Sequence, residues 1–169
     1  MRSAVIVLTW NGGEPAMRCL ASLAALDPAP GQLLVVDNAS SDGTPARVAA
    51  QFPAVALLQN ERNLGFSGGM NVGIAALLTQ PDPPDAIVLL NQDTAVDPGW
   101  LGAIVAPLAE PAVAAVGCKI RYPDGSIQHA GVTLERPRAL ARHLGLREPD
   151  AGQHDAPRDA EFLTAAALA

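Results

Sequence analysis

Four short polar clusters hold the residue types that could do chemistry. They are Thr9-Trp10-Asn11, Asp37-Asn38-Ala39-Ser40-Ser41-Asp42-Gly43, Arg62-Asn63-Leu64-Gly65 and Asn91-Gln92-Asp93. The Asn91-x-Asp93 cluster follows an aliphatic run, where a carboxylate is costly unless water, donors or a cation compensate it. A hard cation such as Mg²⁺ or Mn²⁺ would satisfy it and keep positions open for diphosphate oxygens; a solvated loop aspartate is the plain alternative. Asp37 follows four aliphatics and has two uses: capping the next turn, or accepting hydrogen bonds from a base or ribose. Asn11-Gly12 and Asp42-Gly43 are also ordinary turn formers. Gly65, Gly68, Gly69 and Gly73 match neither the dinucleotide G-x-G-x-x-G spacing nor a P-loop. Glycine at a helix start still lets the backbone approach an anion closely. His129, His143 and His154 are scattered, no His/Cys grouping suggests zinc, and there is no nucleophile elbow or defensible Ser/His/Asp pattern.

The elements that must position these clusters follow from hydrophobic periodicity. Buried strands are predicted at residues 4–8, 33–36, 55–58 and 87–90, each a short aliphatic run of the kind found in sheets covered on both faces. Helical spacing recurs at Ala16, Leu20, Leu23 and Leu26; from a Thr44 cap with Pro45 next to it, to about Phe52; from Gly65 through Met70, Ile74, Leu77 and Leu78; and after Asp97-Pro98 through Leu101, Ile104, Val105 and Leu108. Further strands are expected at residues 113–120 and 127–134, with a turn at Pro123-Asp124-Gly125. Repeated βα units imply a mainly parallel sheet with helices on both faces. In such a sheet ligands bind beyond the carboxyl ends of the strands, and all four polar clusters fall there.

The 169 residues suit one domain, and 49% hydrophobic against 17% charged residues leaves ample core material. Eleven basic and seventeen acidic side chains give a net charge of -6, which argues against nucleic acid or an anionic membrane surface as a partner. Fifteen glycines and fifteen prolines stay below the share of a low-complexity chain. Cys19 and Cys118 each sit in an apolar run and read as small buried hydrophobes in a reducing compartment. No apolar stretch approaches the roughly 20 residues of a membrane span, and the first aliphatic run is too short for a signal peptide. The expectation is a cytoplasmic location, at most peripheral to the inner face of the cell membrane. Three segments are expected: a binding core at 1–134, a flexible charged loop at 135–159, and the start of an acceptor-side segment at 160–169.

In their order and spacing the clusters resemble the family 2 glycosyltransferases of the GT-A fold, in particular the bacterial rhamnosyltransferase-like branch. The residues that carry the likeness are Val5-Ile6-Val7-Leu8-Thr9-Trp10-Asn11, Val35-Val36-Asp37-Asn38-Ala39-Ser40-Ser41-Asp42-Gly43-Thr44, Asn63-Leu64-Gly65-Phe66-Ser67-Gly68-Gly69-Met70-Asn71, Leu89-Leu90-Asn91-Gln92-Asp93-Thr94 and Tyr122-Pro123-Asp124-Gly125-Ser126-Ile127-Gln128-His129-Ala130-Gly131. The resemblance implies a GT-A α/β fold and transfer of a sugar from a nucleoside diphosphate, dTDP-rhamnose or a UDP-sugar, to a hydroxyl of a glycan or lipid-linked acceptor in cell-envelope or polysaccharide synthesis. By the same likeness Thr9, Asn11 and Asp37 would hold the nucleoside, and Asn63, Gly65 and Asn71 would line the donor pocket. Asn91-Gln92-Asp93 occupies the DXD position, with Asp93 on the Mg²⁺ or Mn²⁺ ion and Asn91 in place of the first Asp. Inversion at the anomeric carbon is implied, with the general base expected beyond Ala169, so that residues 1–169 bind donor but transfer sugar poorly. A non-catalytic nucleotide-sugar-binding module of the same fold shares every donor-side motif. A nucleotidyltransferase would want a basic glycine-rich loop after the first strand, and residues 9–15 contain no Lys or Arg.

Overall fold

The computed structural model describes residues 1–138 and 140–169. The aliphatic run at the start of the chain forms strand β1 (Ser3–Thr9), whose Ala4, Val5, Ile6 and Val7 are at most 1% exposed. Helix α1 (Gly13–Ala24) follows, then β2 (Gln32–Asp37), α2 (Thr44–Gln51), β3 (Ala56–Gln59), α3 (Gly65–Leu78), β4 (Ala86–Asn91) and the short helix α4 (Trp100–Val105). These strands are parallel in the order β3-β2-β1-β4, and β9 (Ala167–Leu168) is added antiparallel at the β4 edge. The expected α/β class holds: a mainly parallel sheet with helices on both faces. Strand alternation explains the layering. Val5, Val7, Val35, Val88 and Leu90 turn to the face covered by α1, α2 and α4, whereas Ala4, Ile6, Leu34 and Val36 turn to α3. Helix α3 lies close because Gly73 has no side chain; a Cβ there would stand 2.9 Å from Val36 Cγ2 and 3.1 Å from Ile6 Cγ2.

Several local expectations are corrected. Thr44 does not cap α2. Gly43, at φ 81°, precedes the helix, and the Thr44 hydroxyl instead accepts from Gly13 N (2.9 Å) and donates to Asp42 (2.8 Å), tying together the starts of α1 and α2. The helix after Asp97 stops at Val105 and passes into a 3₁₀ turn, Ala106–Ala109, that contains Pro107 and Leu108. Residues 113–119 form no strand; they run beside β9, exchanging two 2.9 Å backbone bonds between Val116 and Ala169 and one bridge, Gly117 to Leu168. The sheet edge they would need is occupied by β9. Only β5 (Ile120–Arg121) remains, paired with β6 (Ile127–His129) across the expected turn at Gly125. Gly131, at φ 108°, breaks the predicted strand 127–134, so β6 is separate from β7 (Val132–Glu135).

The segment expected as a charged loop contains β8 (Leu140–His143), a hairpin partner of β7; Ala139 within it lies outside the described residues. This hairpin brings two of the seemingly scattered histidines together, with His129 Nδ1 3.0 Å from His143 Nδ1. Downstream, Lys119 bonds Asp150 (2.8 Å) and also Asp155, and the Arg147 guanidinium lies 3.8 Å from the centre of the Tyr122 ring. Both thiols are free, and burial pushes the Cys19 thiol up to about 12. Among the described residues no helix is long and apolar enough to cross a membrane.

Candidate functional site

The strand order reverses direction between β1 and β4, because β2 and β3 lie to one side of β1 and β4 to the other. At such a switch point the loops leaving the two strands turn apart and open a crevice. A cleft of about 280 Å³ lies there. Of the residues predicted from sequence, Asn63, Gly65, Asn91 and Asp93 line it. Leu8, Trp10, Asn38, Phe66 and Gln92 line it too, without having been given roles. A larger open hollow of about 580 Å³ lies at the other end of the strands, beside Arg2, Gln32, Gln80 and Asp82. Its polar groups are spent on one another: Gln32 and Gln80 exchange two amide bonds (2.8 and 3.1 Å), and Arg2 pairs with Asp82.

The remaining predicted residues sit behind the cleft. Thr9 is 1% exposed, its hydroxyl donating to Gln92 Oε1 at 2.7 Å. Asn11 adopts the left-handed conformation that its short amide tolerates (φ 48°). It joins two loops, donating its N–H to Ser40 Oγ (2.8 Å) and accepting Ser41 N on Oδ1 (2.9 Å). Asp37 is also 1% exposed, and Ser40 engages both its oxygens through N–H (2.9 Å) and Oγ (2.5 Å). These bonds hold Ala39 at φ 62°, a region a non-glycine residue enters at a cost. Asp37 thereby caps its turn, and each of its carboxylate oxygens keeps a second lone pair beyond the bond from Ser40. Asn71 lies on the exposed face of α3, outside the cleft lining.

Asn38 is the interior clamp. Almost fully buried, it donates to Gly65 O (2.9 Å) and accepts from Asn60 Nδ2 (2.8 Å), fixing the start of α3 against the β2 tip. Gly69 makes room for it, since a Cβ there would stand 2.8 Å from Asn38 Nδ2. Asn38 stands in one of the polar clusters of the sequence, but its role is not legible there, because its partners lie more than twenty residues away. Trp10 and Phe66 are large hydrophobics left 52% and 42% exposed, and both face the cleft. An exposed aromatic beside strand-tip polar groups was the available signal for them.

Electrostatically the cleft is one-sided. Among the described residues that line it there is one carboxylate, Asp93, and no lysine or arginine. Asp93 is exposed, with no hydrogen bond or ion pair to another described residue. No group of three or more His, Cys, Asp or Glu side chains among the described residues could cage a metal alone. To a bound anion the lining thus offers backbone and amide donors and the α3 N-terminus at Gly65, but no cationic side chain.

The family model for glycosyl transferase family 2 matches residues 4–159. This chain belongs to that family. Its glycosyltransferase membership agrees with relatives of similar sequence. The N-acetylglucosaminyl-diphospho-decaprenol L-rhamnosyltransferase of Mycobacterium tuberculosis is 34% identical over 130 residues, covering 73% of this chain and 42% of that protein. The succinoglycan biosynthesis protein ExoO of Rhizobium meliloti is 33% identical over 101 residues, covering 59% of this chain and 28% of its own length. This family 2 glycosyltransferase chain thus spans less than half of either relative. Among solved structures, the Pyrobaculum calidifontis mannosyltransferase PcManGT, in complex with GDP-Man and Mn²⁺, is similar at TM-score 0.62 and 27% identity over 73% of this chain and 36% of that one. Staphylococcus aureus TarS 1–349 with UDP-GlcNAc is similar at TM-score 0.59 and 25% identity, over 72% of this chain and 35% of that one.

Proposed function

We propose that this glycosyltransferase chain binds a nucleoside diphosphate sugar in the β1/β4 crevice and presents its anomeric carbon to an acceptor hydroxyl. The observation that carries the reading is the unpartnered Asp93 carboxylate at the sheet's switch point, in a cleft that also holds strand-tip amides and two exposed aromatic rings. Asp93 would hold Mg²⁺ or Mn²⁺, with the Asn91 amide beside it; diphosphate oxygens and water would complete the shell. The bound ion supplies charge neutralisation for a departing diphosphate. Trp10 and Phe66 offer ring faces to the base and sugar. Asn63 and Gly65 approach the donor from the α3 side, and Thr9, Asn11, Asp37 and Asn38 hold the loops that carry these contacts. Asp37 would in addition accept from the base or ribose on the lone pairs that Ser40 leaves.

The names of the relatives support a finer version. The donor is dTDP-rhamnose, with UDP-sugars as the competing class, and the acceptor is a glycan or lipid-linked sugar of cell-envelope or polysaccharide synthesis. Displacement is inverting, through an oxocarbenium-like state. Residues 1–134 form the binding core, and residues 160–169 begin the acceptor side, where Ala166 O accepts from Asn91 N at 2.9 Å. The test is thermal unfolding with UDP, dTDP, GDP or CDP, each with and without Mn²⁺. A ligand at 100 times its Kd stabilises by about 2.7 kcal/mol, which raises Tm by roughly 5–10 °C in a chain of this size. The shift is expected to need Mn²⁺ and to vanish in Asp93→Ala. If no nucleotide stabilises the wild type, the donor reading is wrong; if Asp93→Ala keeps the full Mn²⁺-dependent shift, Asp93 does not hold the ion.

A further inference from the structure

We propose that Gln92 is a positioning residue: a side-chain strut that fixes the Trp10 ring relative to the Asp93 carboxylate across the β1/β4 crevice. The role of the strut in binding rests on the donor reading above. Strands β1 and β4 pair in parallel up to Leu8 opposite Asn91. Beyond that register the chains separate, so no backbone ladder sets Trp10 against Asp93. Gln92 bridges the gap. Its Oε1 accepts from Trp10 N (3.0 Å) and from Thr9 Oγ1 (2.7 Å), while its Nε2 donates to Trp10 O (3.3 Å). The carboxamide thus pairs with both backbone polar groups of Trp10, as the peptide of a neighbouring strand would.

Gly12 is the independent sign that this link is built in. Its φ of -77° is open to any residue, so backbone conformation does not call for glycine. Space does: a Cβ at position 12 would press into Gln92 Oε1, stand 2.6 Å from Thr9 Oγ1 and meet Ala16 Cβ at 2.8 Å, so the site packs the Gln92 carboxamide and the first turn of α1 together. The same loop is tied to β2 on its other flank through Asn11, Ser40 and Ser41. With Gln92 removed, the Trp10 peptide that aims the ring loses both of its bonds to the β4 side, and its loop keeps only the β2-side anchor. Asparagine is one methylene too short for this span, and glutamate loses the donor to Trp10 O.

The test uses the full chain. Binding of dTDP and UDP with Mn²⁺ is measured for wild type, Gln92→Leu, the near-isosteric Gln92→Glu, Trp10→Ala, and the double variant Gln92→Leu/Trp10→Ala. Gln92→Leu should weaken binding about tenfold and Gln92→Glu about threefold. In the Trp10→Ala background Gln92→Leu should change little, because there is no ring left to orient; such non-additivity marks a residue acting through another. The sequence has two tryptophans, so in a Trp100→Phe background Trp10 is the only one, and the anisotropy of its emission should fall when Gln92 becomes Leu or Glu. Additive losses, unchanged affinity in Gln92→Leu or unchanged anisotropy would each overturn the strut. Failure of the wild type to bind either nucleotide would sink the donor reading instead, and the anisotropy would still decide the strut.

Discussion

At the scale of single residues, Asp37 shows how position in the fold selects among roles that chemistry leaves open. A carboxylate after four aliphatics can cap a turn or meet a nucleoside. Here it is buried and accepts from Ser40 on both oxygens, so it holds the turn, and contact with a nucleoside is the second, proposed role. Asp37→Ala strands the Ser40 donors and should lower unfolding stability by about 1–3 kcal/mol, with a smaller loss in Asp37→Asn, both read from urea denaturation. If Asp37→Asn left stability untouched but weakened nucleotide binding, direct contact would be the better account. Asp93 is the opposite case. It is exposed and unpartnered, so its removal should leave stability nearly unchanged while abolishing Mn²⁺-dependent binding.

At the scale of elements, α3 illustrates how close approach depends on missing side chains. Its glycines do not follow a phosphate-loop spacing because part of their work is packing. Gly73 lets the helix meet Ile6 and Val36, and Gly69 leaves room for Leu8 and Asn38. Gly73→Ala should destabilise by about 1–3 kcal/mol through overpacking, despite the better helix propensity of alanine. Gly102→Ala, with nothing within 4 Å of the added carbon, is the control and should be neutral or stabilising. Equal urea midpoints for Gly73→Ala and wild type would refute the packing role. Gly69→Ala should perturb the cleft as well, since Asn38 anchors the start of α3.

At the scale of the whole molecule, the β5–β6 and β7–β8 pairs meet through two imidazoles. The pair shares one hydrogen bond, so one ring nitrogen donates and the other must be bare. Burial, and then the charge of His143, holds the His129 pKa below its ordinary 6.5. A basic group with a depressed folded pKa contributes stability that is full above the unfolded value and is lost as pH falls from there through the folded one. Wild-type Tm should therefore drop as pH falls below about 6.5, and the profile of His129→Gln should be flatter. Parallel profiles would remove the histidine pair as the cause.

What the chain determined by itself was local. Aliphatic runs of four or five residues separated by 3.6-period segments specify buried parallel strands and crossover helices, and the polar clusters between them must then fall at one edge of the sheet. That was enough to place Asn63, Gly65, Asn91 and Asp93 at the cleft. Tertiary structure decided which tip residues face the cleft and which brace it. Thr9, Asn11 and Asp37 lie behind the lining in bonds that join its loops, Asn71 lies outside it, and Trp10, Phe66, Asn38 and Gln92 are part of it. It also decided that β9 takes the sheet edge that residues 113–119 would have needed. The reason is range: a strand's period fixes side-chain direction only while the ladder lasts. Past the last paired residue, direction is set by bonds such as Gln92 to Trp10, whose partners lie 82 positions apart in the chain.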